Sequence, residues 1–88
     1  MSKRLSIEVV NRTSTLWEGE ADYVSIPALD GRLGVLPGRQ PVLAVLNTGN
    51  VEVRGADPGG EVNISVSGGF ASVDDDFVTV VVDEGTVI

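Results

Sequence analysis

"VEVRGADPGGEVNISV", residues 51–66, contains two alternating runs with a turn between them. Val51 and Val53 alternate with Glu52 and Arg54; Val62, Ile64 and Val66 alternate with Asn63, Ser65 and Ser67. A period of two places apolar side chains on one face of a strand and polar ones on the other. Between the runs, Asp57-Pro58-Gly59-Gly60 has the chemistry of a tight turn, with Pro presetting φ and Gly permitting positive φ. The same period extends outward in both directions. Leu5, Ile7 and Val9 flank Ser6 and Glu8, Val24 and Ile26 flank Ser25, and Val78, Val80 and Val82 flank Thr79 and the less polar Val81. Turn residues fall between the runs: Trp17-Glu18-Gly19-Glu20, Asp30-Gly31 as a type I′ hairpin signal, Asn47-Thr48-Gly49-Asn50, and Asp74-Asp75-Asp76. No segment offers ten helical residues with a cap and an apolar stripe. The expectation is an all-β chain, one domain over residues 1–88, with eight to ten short, mostly antiparallel strands in two packed sheets.

Composition narrows the function. The 88 residues carry 42% apolar side chains, a net charge of −7, no Cys and no His. A chain of this size buries about 60–65% of its unfolded surface, so its margin of stability is small. Neither a disulfide nor a Cys/His zinc site is available to add to it. The acidic balance argues against nucleic acid and against anionic lipid, both of which need clustered Lys or Arg. No apolar run approaches the roughly 20 residues of a membrane-spanning helix. Met1-Ser2-Lys3-Arg4-Leu5 has basic residues but no apolar stretch behind them, so neither a signal peptide nor direct membrane insertion is expected. Absent cysteines fit a cytoplasmic setting.

Candidate chemistry is thin. Asp74-Asp75-Asp76 lacks the spaced acids, Gly and distal Glu of a calcium loop and is read as a hairpin tip. Gly68-Gly69 lacks the Lys and following helix of a phosphate loop and is read as a bulge or bend leading into a strand. Without His or Cys, and with Lys3 as the single lysine, no activated nucleophile can be assembled. No catalytic residue, cofactor or metal is expected. Core packing accounts for Phe70, whereas Trp17 reads equally as a core cap or an interface anchor.

One stretch resists a purely structural reading. "DGRLGVLPGRQPVL", residues 30–43, holds three glycines, two prolines and two of the six basic residues. Leu33 and Val35 face one way, Pro37-Gly38 turns the chain, and Val42-Leu43-Ala44-Val45-Leu46 follows with apolar residues on both faces. A strand of a small antiparallel sandwich normally keeps one wet face. Cover by another polypeptide is therefore expected.

"DGRLGVLPGRQPVLAVLNTGNVEV" closely resembles the epsilon subunit of F-type ATP synthases, which is the delta subunit in mitochondria. The stretches "LSIEVVNRTSTLWEGEADYVSIP" and "VSGGFASVDDDFVTVVVDE" resemble that family's opening hairpin and closing strands. The resemblance implies a flattened β-sandwich of about ten strands. In the family two helices follow the sandwich and carry regulation; the 88 residues have no counterpart to them, so that role is not expected here. It also implies a non-catalytic rotor part in the central stalk, clamping the γ subunit and resting on the polar loops of the c-ring, so that ion-driven rotation reaches the catalytic head. A bacterial chain would face the cytoplasm at the plasma membrane; a plastid one would face the stroma.

Residue by residue, the resemblance places Asp30, Gly31 and Arg32 at the c-ring loops. It places Arg39 at the edge shared by ring and γ, and Asn11, Val42 and Leu43 towards γ. Two positions depart from the family. Arg32 is often acidic in relatives, and Arg39 stands where His is usual, replacing a titratable ring with a permanent cation. Both arginines are expected to pair with carboxylates on the ring or on γ. The isolated chain is expected to be a monomer, with an apolar patch at Val42–Leu46 prone to weak self-association. A stand-alone β-sandwich binding module is the alternative of a different class, and a small enzyme of another type is a third.

Overall fold

A computed structural model describes residues 3–57 and 59–88. Eight strands follow in chain order: β1 Leu5–Val10, β2 Thr15–Ala21, β3 Tyr23–Ala28, β4 Gly31–Val35, β5 Val42–Val45, β6 Gly49–Ala56, β7 Gly60–Asp74 and β8 Phe77–Val87. The described residues contain no helix. β1 and β8 pair in parallel, and the other strand pairs are antiparallel.

Two strands are much longer than the alternation suggests: β7 has 15 residues and β8 has 11. Both pass through two layers. The first half of β7 pairs with β6 and with the end of β8; its second half pairs with β5 and with the start of β8. β1 meets β8 only at Phe77–Val81. One layer therefore runs β2-β1-β8-β7-β5, the other β8-β7-β6-β3-β4, and the β7–β8 hairpin belongs to both. Eight continuous strands thus supply ten segments, which reconciles the strand count with the expected sandwich. The molecule measures 36 × 26 × 20 Å, a flattened body two sheets thick.

The core lies between the layers. Leu5, Ile7 and Val9 of β1 and Val78, Val80 and Val82 of β8 face Val24 and Ile26 of β3, Val51 and Val53 of β6, and Ile64 and Val66 of β7. These are the inward members of the alternating runs. β-Branched side chains suit them because they lose little rotamer freedom on a pleated surface. Among the described residues, every buried side-chain polar atom has a hydrogen-bond partner.

Several local expectations change. Trp17-Glu18-Gly19-Glu20 is not a turn but the middle of β2. Gly19 stands opposite Ile7, where a Cβ would come within 2.6 Å of the Asp57 carbonyl oxygen and 2.9 Å of the Trp17 ring, so the glycine marks a close backbone approach rather than a reversal. The reversal is at Asn11–Ser14, where the Asn11 side-chain oxygen accepts from the amides of Thr13 and Ser14 at 2.9 and 2.7 Å. In the β3–β4 hairpin the two connecting residues are Leu29 and Asp30, with Gly31 (φ 120°) already in β4 opposite Ala28. Phe70 is 47% exposed and points outward, because Ala71 and Val73 take the inward positions of that segment. Asp74-Asp75-Asp76 does form a hairpin tip, with Asp75 and Asp76 both at positive φ. The turn expected at residues 57–60 joins β6 to β7; Pro58 within it lies outside the described residues.

Gly68 and Gly69 (φ 75° and 118°) bend β7 where it leaves one layer for the other. A Cβ on Gly69 would overlap the Val81 carbonyl oxygen and stand 2.9 Å from the Val82 Cα. Gly69→Ala is expected to cost about 3 kcal/mol, combining a disfavoured φ with a backbone clash. In thermal denaturation that is a fall of roughly 15 °C in Tm; a fall under about 4 °C would mean that the bend tolerates a side chain.

Candidate interaction surface

The outer faces of the two layers differ in chemistry. In the β2-β1-β8-β7-β5 layer, the row Val9–Val80–Ala71 points into the core and continues on β5 to the half-buried Ala44. The next row, shifted by one residue, points out, and it is also apolar. Val10, Val81, Phe70 and Val45 lie directly across from one another on four neighbouring strands. At the usual strand spacing this row spans about 15 Å. Val45 and Phe70 are 57% and 47% exposed, while Val10 and Val81 are half-buried. Leu43, 71% exposed, begins the next outward row, which continues through Ser72 and Thr79 to Glu8. Glu8 faces Glu18 across β1 and β2, so the apolar area ends in an acidic border on that side.

Alternation decides what each expected γ-side residue can reach. Leu43 stands outward and is 71% exposed. Val42 points the other way, opposite Val73, and packs against the core. Asn11 adjoins the Val10 end of the row, and its side-chain oxygen is committed to the β1–β2 turn. Val10, Phe70 and Val81 were not singled out as surface residues from sequence. A signal for two of them was present: Val9-Val10 and Val80-Val81 each put a valine where the alternation calls for a polar residue.

Asp30 of the turn and Gly31 and Arg32 at the start of β4 come together with Val42 and Leu43 around one cleft of about 380 Å³ at the end of the β3–β4 hairpin. Leu29, 61% exposed, forms the tip beside Asp30, and its N–H donates to the Val45 carbonyl at 3.0 Å. The hairpin end and the apolar row are therefore continuous.

Arg32 lies back across the other layer. Its Nε donates to Ser25 Oγ at 2.8 Å, and its Nη2 donates to the Asn50 and Ser25 carbonyls at 2.6 and 3.2 Å. Nη2 is also 3.5 Å from Glu52, which in turn meets Arg54 at 3.7 Å. Arg54 stacks over the Tyr23 ring at 5.9 Å. Arg32 thus ties β4 to β3 and β6 from within its own sheet. Arg39 is different: it is exposed, sits in the β4–β5 connection, and has no carboxylate within 4.0 Å among the described residues. Of the two arginines, Arg39 is the one whose charge is open to a partner.

Known proteins share this fold. The family described as "ATP synthase, Delta/Epsilon chain, beta-sandwich domain" matches residues 4–86. The ATP synthase epsilon chain of Micrococcus luteus is 45% identical over 76 residues, covering 86% of this chain and 82% of that protein. That of Nostoc sp. is 40% identical over 81 residues, covering 92% and 59%. That of Thermobifida fusca is 46% identical over 74 residues, covering 83% and 54%. The chain therefore spans little more than half the length of the last two relatives. Among solved structures, a chain of the Euglena gracilis mitochondrial ATP synthase superposes with a TM-score of 0.84 at 23% identity, covering 96% of this chain and 53% of that one. A chain from the central stalk and c-ring of the Tetrahymena thermophila mitochondrial ATP synthase superposes at 0.70 with 14% identity, covering 94% and 66%. At those identities the structural likeness is one of fold; the family match and the sequence relatives carry the assignment. This chain belongs to the ATP synthase delta/epsilon family, as its β-sandwich domain.

Proposed function

We propose that this chain is a non-catalytic rotor part of an F-type ATP synthase, seated in the central stalk between the γ subunit and the c-ring. In a bacterial cell it faces the cytoplasm at the plasma membrane. The observation that carries the reading is the outward apolar row Val10–Val81–Phe70–Val45, with Leu43 beside it. A sheet face of this kind needs cover, and a rotor clamp supplies it permanently. Covering a Val, Leu or Phe side chain fully stabilises by about 1.5–3 kcal/mol each. The row and Leu43 together thus provide several kcal/mol towards docking γ, before the cost of association. The β3–β4 end, with Leu29, Asp30 and Gly31 at its tip, presents to the c-ring loops, and Arg39 stands at the edge between the two partners. A two-layer sandwich suits a part that transmits torque, because a close-packed interior deforms little under load.

The first test is co-expression with the γ subunit of the same genome, followed by size-exclusion chromatography with light scattering. A one-to-one complex is expected. Separate elution at micromolar concentration overturns the γ clamp and favours a stand-alone binding module.

Phe70→Asp introduces a charge into the centre of the row without touching the core. It is expected to weaken γ binding by at least about 100-fold, with Tm of the isolated chain little changed; binding within threefold of wild type would remove the row from the interface.

The two arginines are expected to separate. Arg32→Glu sets a carboxylate against Glu52 and two carbonyls, lowering Tm of the isolated chain by roughly 4–8 °C, about 1 kcal/mol. Arg39→Glu leaves Tm unchanged and weakens the complex with γ and the ring. Thermal scans of the isolated variants beside pull-downs check both, and the reverse pattern would return Arg32 to the interface.

A further inference from the structure

The Leu36–Pro41 connection carries Arg39 and lies outside the strand ladders. Among the described residues its segment makes one hydrogen bond beyond those ladders. The Gly38 N–H donates to Asp76 Oδ1 at 2.7 Å, across 38 positions of sequence. Asp76 is at the tip of the β7–β8 hairpin, and its carbonyl also accepts from the Ser6 N–H at 2.9 Å. One residue thereby joins the hairpin tip, the start of β1 and the β4–β5 connection. Gly38 and Asp76, with Arg39, Asp74 and Lys3, line a common cleft of about 560 Å³.

The hairpin tip does not require aspartate. Asp75 and Asp76 take φ of 51° and 63°, a conformation that Gly adopts at no steric cost and that Asn tolerates well. What Asp76 adds is a charged acceptor. A hydrogen bond from a backbone amide to a carboxylate is about twice as strong as a neutral one. The bonded amide is that of the Pro37–Gly38 peptide, one peptide unit ahead of the one that leads to Arg39, so the contact anchors the chain immediately before the arginine, with Gly38 at φ 87° between them. A long cation on an untethered six-residue connection would have to be ordered when a partner arrives; a tethered one has already met part of that cost.

We propose that Asp76 is a positioning residue for docking: its carboxylate latches the Gly38 amide and so presents Arg39 to the partner at the stalk. This rests on the reading of Arg39 as an interface residue given above. Asp76 itself need not touch the partner. The latch predicts that the acceptor atom matters and the negative charge matters less.

Four variants of the full chain test it: Asp76→Gly, Asp76→Asn, Arg39→Ala and the double variant Asp76→Gly/Arg39→Ala. Asp76→Gly keeps the turn and removes the acceptor; Asp76→Asn keeps both. Each is measured for Tm, for hydrogen exchange at the Gly38 amide, and for affinity towards the γ–c-ring subcomplex of the same organism. For Asp76→Gly, Tm is expected within about 3 °C of wild type, with Gly38 exchange and dissociation constant each up about tenfold, the worth of one charge-assisted hydrogen bond. Asp76→Asn should bring both back to within about threefold of wild type. In the double variant, affinity should match that of Arg39→Ala alone, because a latch acts only through the residue it positions. Unchanged Gly38 exchange in Asp76→Gly overturns the latch. So does full additivity in the double variant. Wild-type affinity in Arg39→Ala overturns the docking reading instead, and the proposal with it, while leaving the exchange result as a separate fact.

Discussion

The β7–β8 hairpin is the constraint on which the rest of the molecule depends. Its two strands cross from one layer to the other without a break, so each layer is built on half of the same ladder. Pairing at Ile64–Ser67 orients β6, β3 and β4; pairing at Gly69–Asp74 orients β5 on one side and, through β8, β1 and β2 on the other. The layers therefore cannot slide independently. The bend at Gly68-Gly69 sets the relation between them, and a side chain at Gly69 would meet the backbone of the partner strand. Most residue contacts in the fold are long-range in sequence.

A second consequence is chemical asymmetry. Because the layers share one hairpin, one outer face continues from the β5 side across β7, β8 and β1 as an apolar row, while the other collects polar groups. On that polar face Arg32, Glu52, Arg54 and Tyr23 are engaged with one another, and Ser25 and Asn50 supply further acceptors for Arg32. Side chains occupied in this way offer a partner few free donors. The apolar row and the open charge of Arg39 offer more; the row adjoins the β3–β4 end, and Arg39 lies beyond the other end of β4, beside the β7–β8 tip. A rotor component needs a firm attachment on one face and a defined edge towards the ring, and these two features provide them in the proposed assembly. Acidic residues at Glu8 and Glu18 bound the apolar area and keep it from spreading over the whole sheet.

Much was legible in the chain. Strict alternation named inward residues of β1, β3, β6, β8 and the first half of β7, because a strand with one buried face imposes a period of two on its side chains. The run Val42–Leu46, apolar on both faces, pointed to an outer surface in need of cover, and Leu43 and Val45 are indeed exposed on it. Family-specific spacing from Asp30 to Val53 indicated the family, which the matched relatives establish. What misled were residues with two uses. Gly19 reads as a turn because glycine permits one, yet here it makes room for the Asp57 carbonyl, with the Trp17 ring beside it. Phe70 reads as core because it is large and apolar, yet the bend before it assigns the inward positions to Ala71 and Val73.

The sequence by itself determined the fold class, the inward face of the strictly alternating runs in β1, β3, β6, β8 and the first half of β7, and the family, since these are written in local period, turn chemistry and spacing. Only the tertiary structure decided which residues share a surface. That Val10, Val81, Phe70 and Val45 form one row depends on register between four strands drawn from both ends of the chain, and register is fixed by cross-strand hydrogen bonds that no local pattern encodes. That Arg32 is held internally and Arg39 left open depends on what lies across the sheet from each. Asp76 reaches Gly38 for the same reason: contacts between segments far apart in sequence exist only once the layers have closed.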